Sequence, residues 1–306
     1  MSEAPAELRI DALGIETRAW QYGDRHGEPS GETIILVHGF RGDHHGLAGI
    51  AAALVEHRPG IRVVVPDLPG FGASPAIPGR EHDLALYGEW LRAFAREAAP
   101  GGYSILGHSF GSLVVAAALD QGLDPSTVAL INPISSPALE GPQAVMTRLA
   151  IFYYWAADRL PERAARALLG NPVIVRLMSI VMAKTPDPAL RAWIHGQHDR
   201  YFSRFADTST LLEAFRASVS HTVAEYAAAI TQPVLLIVGD RDDITPLPAQ
   251  LGLQRQLADS RLRVMPGVGH LVHYEAVEPA VAALAKFLRE HSERSADVSD
   301  TTGERR

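Results

Sequence analysis

A serine between two glycines is the residue best suited to nucleophilic chemistry in this sequence. It is Ser109 in the segment GHSFG, which follows the apolar run YSIL and precedes the helix-like run SLVVAAAL. A strand that turns into a helix within so few residues exposes the serine oxygen at the end of a sheet. The alternative is a serine in a glycine-rich turn, but the flanking strand and helix favour a nucleophile.

A nucleophilic serine needs a histidine base, and that base needs a carboxylate to fix its tautomer. The chain has 13 histidines, of which His270 ends the glycine-rich segment GVGH after a strand candidate. Asp240, Asp242 and Asp243 follow another strand candidate, PVLLIV. The residues alone leave the choice among these aspartates open. The chain order serine, aspartate, histidine is that of one known fold with this chemistry.

Acyl transfer also needs two hydrogen-bond donors that stabilise the oxyanion. We predict that the backbone N–H of Phe110, next to the nucleophile, is one of them. The second is predicted to be the N–H of Phe40, in the segment VHGF after an early strand. His38, Gly39 and His108 adjoin these positions and are candidate substrate contacts.

The aromatic run FYYW supplies two further candidate substrate contacts, Tyr154 and Trp155. Met178, Val181 and Met182 follow later in the same region and, with the aromatic residues, could line an apolar acyl pocket. The alternative is that these side chains form packing interfaces among helices, and we expect this of most of them.

Short apolar runs rich in β-branched residues alternate with stretches of helical period. This alternation predicts a mostly parallel sheet covered by helices on both faces. One or two edge strands are predicted within 8–22. Buried strands are predicted at 33–37, 62–65, 104–106, 128–131, 234–238 and 262–265. Helices are predicted at 47–56, 83–98, 113–121, 249–257 and 277–291.

The alternation stops after Asn132, and the signals up to residue 231 are helical. We predict an α/β core formed by residues 1–132 and 232–291, with residues 133–231 as a helical cap above the sheet. The last stretch, 292–306, is polar, has no apolar period and is predicted to be a disordered tail.

Together these segments resemble the α/β-hydrolase superfamily, specifically its single-cap branch of serine esterases, lipases and related hydrolases. The matching segments are LVHGF, PDLPGFGAS, GHSFG, VGDRDDITP and GVGHLVHYE, over about residues 33–288. The resemblance implies the α/β-hydrolase fold and makes Asp242 the acid, the fourth position of the family's motif G-x-x-D-x-x-x-P. Some members carry the acid after the preceding strand, where this chain has Asn132.

The resemblance implies a Ser109, His270 and Asp242 triad that needs no cofactor and no metal. We expect hydrolysis of a carboxylic ester of small or medium size through an acyl-enzyme. One alternative is a carbon–carbon bond hydrolase acting on an acidic diketone-like substrate, which Arg41 or Arg80 near the pocket would favour. A less favoured alternative is a non-catalytic member that keeps the pocket for ligand binding.

Composition limits the partners and the location. The chain of 306 residues has a formal net charge of −7, which argues against nucleic acid because phosphate binding needs a basic surface. It has no cysteine, and no stretch reaches the roughly 18–20 apolar residues of a membrane span. We expect a cytoplasmic enzyme that acts on a small-molecule substrate. No oligomeric state is predicted.

The segment RGDHHG, beside the expected oxyanion site, is unusually polar. His44 and His45 could contact a substrate carboxylate, but we expect them to be solvated. A metal held by these histidines and Asp43 is not expected, because adjacent positions do not converge easily on one ion.

Overall fold

The structure is a computed structural model. It describes the backbone of residues 4–24, 32–137 and 144–303, and their side chains except those of 144–147 and 294–303. The strands are β1 Ala6–Ala12, β2 Ile15–Gly23, β3 Thr33–Val37, β4 Arg62–Pro66, β5 Ser104–His108, β6 Val128–Ile131, β7 Val234–Gly239 and β8 Ser260–Met265.

These strands form one sheet in the order β1-β2-β4-β3-β5-β6-β7-β8. Strand β2 pairs antiparallel with β1 and β4, and every other neighbouring pair is parallel. The mostly parallel sheet expected from the sequence is therefore confirmed. Parallel strands end at the same edge of a sheet, so the loops that follow β3, β5, β6, β7 and β8 gather on one side.

Helices account for most of the remaining described residues. They are α1 His44–His57, α2 Leu84–Ala98, α3 Phe110–Asp120, α4 Ala144–Asp158, α5 Glu162–Leu169, α6 Pro172–Met182, α7 Pro188–Tyr201, α8 Thr208–Ser220, α9 Leu247–Gln254, α10 Val272–Glu275 and α11 Val277–Gly303. A 3-10 helix, Val223–Ala229, follows α8.

The run TIILV of β3 shows why the central strands are apolar throughout. Ile35 and Val37 pack into a core layer with α2 and α3, whereas Ile34 and Leu36 pack into a second layer with α1 and α11. Successive side chains of a strand point to opposite faces. A sheet with helices on both faces therefore needs apolar residues at every position.

Between β6 and β7 the described residues contain five helices, α4 to α8, and the 3-10 helix. We call residues 132–233 the helical insertion. Asn171, Asp187 and Asp207 begin α6, α7 and α8 by accepting hydrogen bonds from backbone N–H groups of the first turn, which is the usual role of such N-cap side chains. The division into core and cap at residues 132 and 232 stays a prediction.

The last helix differs from the sequence-based expectation. Residues 292–303, predicted to be a disordered tail, continue α11 as helical backbone, and residues 304–306 lie outside the described residues. The segment lacks an apolar period but also lacks proline, and its first glycine is Gly303. Nothing in it therefore stops a helix that is already propagating from the packed part of α11.

A buried arginine ties the loop after β3 to the helical insertion. Arg41 is 1% exposed and adopts a positive φ of 61°. Its guanidinium donates to the carbonyl oxygens of Phe202 at 3.0 Å and Leu169 at 2.6 Å. It also donates to Tyr154 Oη at 3.1 Å and Ser203 Oγ at 3.2 Å. All four acceptors belong to the insertion, so this side chain fastens the insertion to the core.

We predict that Arg41→Lys lowers the free energy of unfolding by about 2–4 kcal/mol, because each buried acceptor left unpaired costs roughly 1–3 kcal/mol. A lysine ammonium is a single nitrogen and cannot reach acceptors arranged around a guanidinium plane. Urea unfolding followed by circular dichroism measures the change. Arg80→Lys is the control, because Arg80 is exposed and pairs with Glu89. Equal unfolding midpoints for the two variants would contradict the role given to Arg41.

Candidate active site

Ser109 lies at the turn between β5 and α3. Its φ of 52° and ψ of −118° belong to a backbone region that residues with a side chain rarely adopt. Tight packing requires glycine on both sides of it. A Cβ atom at Gly107 would lie 2.6 Å from the carbonyl oxygen of Gly111, and one at Gly111 would lie 2.3 Å from that of Val37. The turn thus presents the Ser109 hydroxyl at the carboxyl edge of the sheet.

His270 and Asp242 reach this hydroxyl from two other loops. His270 Nε2 lies 2.8 Å from Ser109 Oγ, and His270 Nδ1 lies 2.8 Å from Asp242 Oδ2. Asp242 follows β7 and His270 follows β8. All three side chains are buried. The structure therefore brings the three residues proposed from the sequence into one hydrogen-bonded chain.

The carboxylate of Asp242 accepts several further hydrogen bonds. Oδ1 accepts from the N–H groups of Ile244 at 2.8 Å and Thr245 at 3.0 Å. Oδ2 accepts from Thr245 Oγ1 and Asn132 Nδ2, both at 2.6 Å. Burial would raise the pKa of Asp242, but His270 and the hydrogen bonds from Thr245 bring it below its ordinary value. The group is therefore held as a carboxylate.

Asn132 connects the strands that carry this carboxylate and its histidine. Besides Asp242, its amide donates to the carbonyl oxygen of Gly269 at 2.9 Å and accepts from the N–H of Gly239 at 3.2 Å. Asn132 is fully buried at the end of β6 and has a positive φ of 44°. An asparagine can make these contacts because its amide both donates and accepts. A carboxylate at this position would instead repel Asp242.

The other two aspartates of the segment have other partners. Asp240 Oδ1 accepts from the N–H of Gly267 at 2.7 Å, and Asp243 Oδ2 lies 2.6 Å from Lys184 Nζ. Within the described part of the chain, neither carboxylate hydrogen-bonds to His270.

Phe40 and Phe110, the predicted oxyanion donors, both line the cavity beside Ser109. Their rings pack edge to face with centroids 6.2 Å apart. Across the described residues, neither backbone N–H donates to a backbone carbonyl. Phe110 is the first residue of α3, where helix geometry leaves the N–H unpaired. The role of these two groups stays a prediction.

The histidines and glycine next to the site hold its loops together. His38 Nδ1 donates to the carbonyl oxygen of Gly39 at 2.9 Å, and Nε2 accepts from the N–H of Leu68 at 2.9 Å. Burial lowers the pKa of His38 and keeps it neutral. His108 Nε2 donates to the carbonyl oxygen of His270 at 3.3 Å. Both histidines and Gly39 line the cavity, so their candidacy as substrate contacts stays a prediction.

The two aromatic candidates on α4 are separated by the helix geometry. Tyr154 is buried, lines the cavity and stacks on Phe215 with ring centroids 3.8 Å apart. Trp155 is 48% exposed and is not among the described residues that line the cavity. Its ring lies under the guanidinium of Arg159 at 3.9 Å. Consecutive residues of a helix point about 100° apart, and on α4 this places Tyr154 toward the cavity and Trp155 toward the outside.

A cavity of about 560 Å³ opens above Ser109. The insertion contributes an apolar wall that includes Ile174, Met178, Val181 and Met182. The volume falls within the range of roughly 300–1,000 Å³ found for small-molecule sites. Met178, Val181 and Met182, the three candidates that the sequence offers besides the aromatic residues, therefore all reach the cavity.

Some parts of the site were not assigned from the sequence. Thr245, which supplies two hydrogen bonds to Asp242, lies three residues after it, and a threonine at that spacing is a local signal. Ser112 is also fully buried, and its Oγ donates to the carbonyl oxygen of Ser109 at 2.5 Å. Tyr201 and His198 line the cavity from α7. No pattern in the sequence marks these two, because their position depends on how α7 packs.

The histidines of the RGDHHG segment are not solvated as expected. Trp20, His44, His45 and Tyr201 form a stack of four rings, with successive centroids 3.2, 3.9 and 3.7 Å apart. His44 is buried and His45 is half-buried. Neither is among the described residues that line the cavity. The expectation was wrong because Trp20 of β2 and Tyr201 of the insertion cover this loop.

Asp43, His44 and His45 also hold possible metal-ligand atoms within 4.8 Å of one another. His44 Nδ1 lies 2.9 Å from Asp67 Oδ1, and His45 Nδ1 lies 3.0 Å from Asp43 Oδ1. A shared cation bound through these nitrogens would displace both hydrogen bonds.

Comparison with known proteins agrees with the fold. A family model of the alpha/beta hydrolase fold matches residues 32–277. The chain belongs to this family. Its fold is the one that the resemblance implied.

Three relatives illustrate the range of similarity. The chain is 28% identical to a dihydrolipoyllysine-residue acetyltransferase component of an acetoin cleaving system from Pseudomonas putida, covering 95% of this chain and 71% of that protein. It is 26% identical to an N-formylmaleamate deformylase from the same species, covering 94% and 98%. A thermophilic esterase from Thermogutta terrifontis superposes with a TM-score of 0.71 at 22% identity, covering 94% and 99%.

We predict that acid weakens the fold through the buried side chain of His108. Burial and the nearby His270 lower the pKa of His108 to about 3, whereas an unfolded histidine titrates near about 6.5. The unfolded chain therefore takes up this proton first, and stability falls as the pH drops from about 6.5 toward 3. His108→Gln removes this group. Between about pH 7.5 and 5 the free energy of unfolding of the variant should therefore fall by roughly 1–2 kcal/mol less than that of the unaltered chain.

Urea unfolding at several pH values measures this difference. Between about pH 7.5 and 9 the difference in free energy of unfolding between His108→Gln and the unaltered chain should be constant. The reason is that His108 does not titrate in this range in either the folded or the unfolded state. An identical acid dependence for His108→Gln and the unaltered chain would contradict the assignment of a neutral, buried His108.

Proposed function

We propose that this chain hydrolyses carboxylic esters of small or medium size through an acyl-enzyme on Ser109. The observation that carries the proposal is the hydrogen-bonded chain from Ser109 Oγ through His270 to Asp242, with both contacts at 2.8 Å. It lies at the base of a cavity with an apolar wall. Such a chain activates a serine hydroxyl as a nucleophile.

In the first step His270 Nε2 accepts the proton of Ser109 as the oxygen attacks the ester carbonyl. The carbonyl π-bond opens and its oxygen becomes negative. Asp242 stabilises the imidazolium that forms, and its carboxylate is held in place by Thr245 and Asn132. The tetrahedral intermediate then expels the alcohol, which takes the proton from His270. The acyl group is left on Ser109.

In the second step water replaces the alcohol. His270 takes a proton from the water, and the resulting oxygen attacks the acyl carbonyl. The intermediate releases the acid and returns the proton from His270 to Ser109. The N–H groups of Phe40 and Phe110 are the donors that we assign to the oxyanion in both steps. These steps use no cofactor and no metal.

The cavity supports an ester over an acidic carbon–carbon substrate. Arg41 is the single arginine or lysine among the described residues that line it. Its guanidinium is engaged with four acceptors of the insertion. Arg80 pairs with Glu89 at an exposed position. Neither arginine presents a guanidinium that is free to bind a substrate carboxylate, which is what the carbon–carbon alternative requires.

The relatives support acyl chemistry in general. One is named a deformylase, one an acetyltransferase component and one an esterase. The alternative of a non-catalytic binding protein has less support, because such a protein would not need hydrogen bonds linking Ser109, His270 and Asp242. We further propose that the helical insertion serves as a cap over the site. A cytoplasmic location is part of the proposal, since a chain without cysteine suits a reducing compartment.

The proposal predicts hydrolysis of p-nitrophenyl esters, with a preference for one range of acyl lengths set by the cavity. Ser109→Ala should lower kcat/KM by at least about 10³-fold, since no side chain then forms the acyl-enzyme. Initial rates across a series of acyl lengths measure both effects. Turnover that persists in Ser109→Ala would refute the nucleophile. A folded protein without turnover on any ester would refute ester hydrolysis.

The acid can be tested with matched variants of one loop. Asp242→Asn should lower kcat by about 10³–10⁴-fold, because the amide holds His270 in the wrong tautomer. Asp240→Asn and Asp243→Asn serve as controls, since their carboxylates contact Gly267 and Lys184 instead, and should stay within about twofold of the unaltered enzyme. A larger loss in either control than in Asp242→Asn would move the acid.

A further inference from the structure

Helix α6 carries an apolar stripe on its outer face. Val173, Leu177, Ile180 and Val181 are 67%, 58%, 53% and 47% exposed. They follow one another at intervals of four, three and one residues, so they lie on one side of the helix. Exposed large apolar side chains that are scattered singly need no explanation, but a contiguous patch marks an interaction surface.

The stripe is continuous with the cavity. Leu177 and Val181 are exposed and also line the cavity, as does Ile244, which is 50% exposed. They therefore form part of its mouth. Ile174, on the same helix, lines the cavity as well. One helix thus presents apolar side chains to the outside and to the cavity above Ser109.

A second exposed apolar cluster lies on α4. Phe152 is 61% exposed and stacks on Trp155 with ring centroids 5.6 Å apart. The guanidinium of Arg159 lies over the Trp155 ring. An amphipathic aromatic ring next to an arginine is typical of residues that lie at the level of lipid headgroups.

The charge of this region is opposite to that of the whole chain. Helices α4 to α6, with the residues that link them, carry five arginines and two carboxylates, whereas the chain has a net charge of −7. Two ion pairs extend outside these helices, Arg176 with Asp199 and Asp158 with Arg216. The partners outside the helices, Asp199 and Arg216, add one negative and one positive charge, so the net charge of this region stays positive.

Length decides how this region would meet a bilayer. Among the described residues, Glu162–Met182 is long and apolar enough by composition to cross a membrane. Of its most apolar stretch of 18 residues, 22% is buried. However, α5 ends at Leu169 and α6 begins at Pro172. Neither helix reaches the roughly 20 residues that a span requires. The segment is therefore suited to lie along a lipid surface.

We propose that the outer face of α6 docks on an anionic phospholipid surface, with the cavity mouth turned toward the lipid. The apolar stripe enters the boundary between headgroups and acyl chains, and the arginines of α4 to α6 attract the anionic headgroups. Amphipathic molecules could then pass from the lipid into the cavity. The docking is independent of the reaction proposed for Ser109.

Co-sedimentation with vesicles tests this proposal without any measurement of activity. The probes are vesicles of mixed phosphatidylcholine and phosphatidylglycerol, and vesicles of phosphatidylcholine alone. The test variant is Val173→Asp with Ile180→Asp, two exposed positions that are not among the described cavity-lining residues. Val173→Asn with Ile180→Asn makes the same positions polar without added charge. The control, Leu251→Asp with Gln256→Glu, adds two negative charges at the exposed surface of α9 and just after it.

We expect the unaltered chain and the α9 control to sediment with the mixed vesicles. Both α6 variants should bind at least about tenfold more weakly, and binding should weaken at high salt as the headgroup attraction is screened. Circular dichroism shows whether each variant is folded. Docking is overturned if the unaltered chain stays in solution, or if folded α6 variants bind as it does. Sedimentation velocity without vesicles tests whether a second copy of the chain occupies this face instead of lipid. A dimer that dissociates in the α6 variants, together with no vesicle binding by the unaltered chain, would assign the face to that second copy.

Discussion

The hydrogen bond between Ser109 and His270 joins residues that are 161 positions apart in the sequence. It forms because β5, β7 and β8 run parallel in one sheet and end at the same edge. The strained turn at Ser109 and the buried amide of Asn132 hold this edge together. Gly107 and Gly111 allow the turn, and Asn132 links the ends of β6 and β7 to the histidine loop. The fold thus fixes the geometry before any substrate binds, as preorganised catalysis requires.

Local signals explain why so much of this edge could be predicted from the sequence. The run TIILV predicted β3 with its observed bounds, because a buried parallel strand is apolar at every position. Ser109 stands out because it lies between two glycines, after an apolar strand and before a helix. This is the pattern that a sharp strand-to-helix turn requires. The tail is the exception: residues 292–303 continue α11. Their polar composition indicates exposure to solvent. An exposed helix and an exposed coil have the same composition, so composition does not distinguish between them.

Contacts between distant segments could not be predicted in the same way. The polar segment RGDHHG suggested solvated histidines, yet His44 and His45 stack between Trp20 and Tyr201. The sequence alone makes Arg41 a candidate partner for a substrate anion, whereas in the structure it fastens the insertion to the core. In each case the deciding partner comes from the helical insertion or from β2. Neither spacing nor composition records which loop will cover another.

The central claim is that His270 activates Ser109 as a nucleophile. The most direct test is covalent labelling with a fluorophosphonate, followed by peptide mass spectrometry. Our account predicts one adduct, on Ser109, with labelling slowed by at least about 10³-fold in His270→Ala, because the hydroxyl then has no base. An adduct on another residue, no adduct on the folded protein, or equal labelling rates for the two proteins would contradict it.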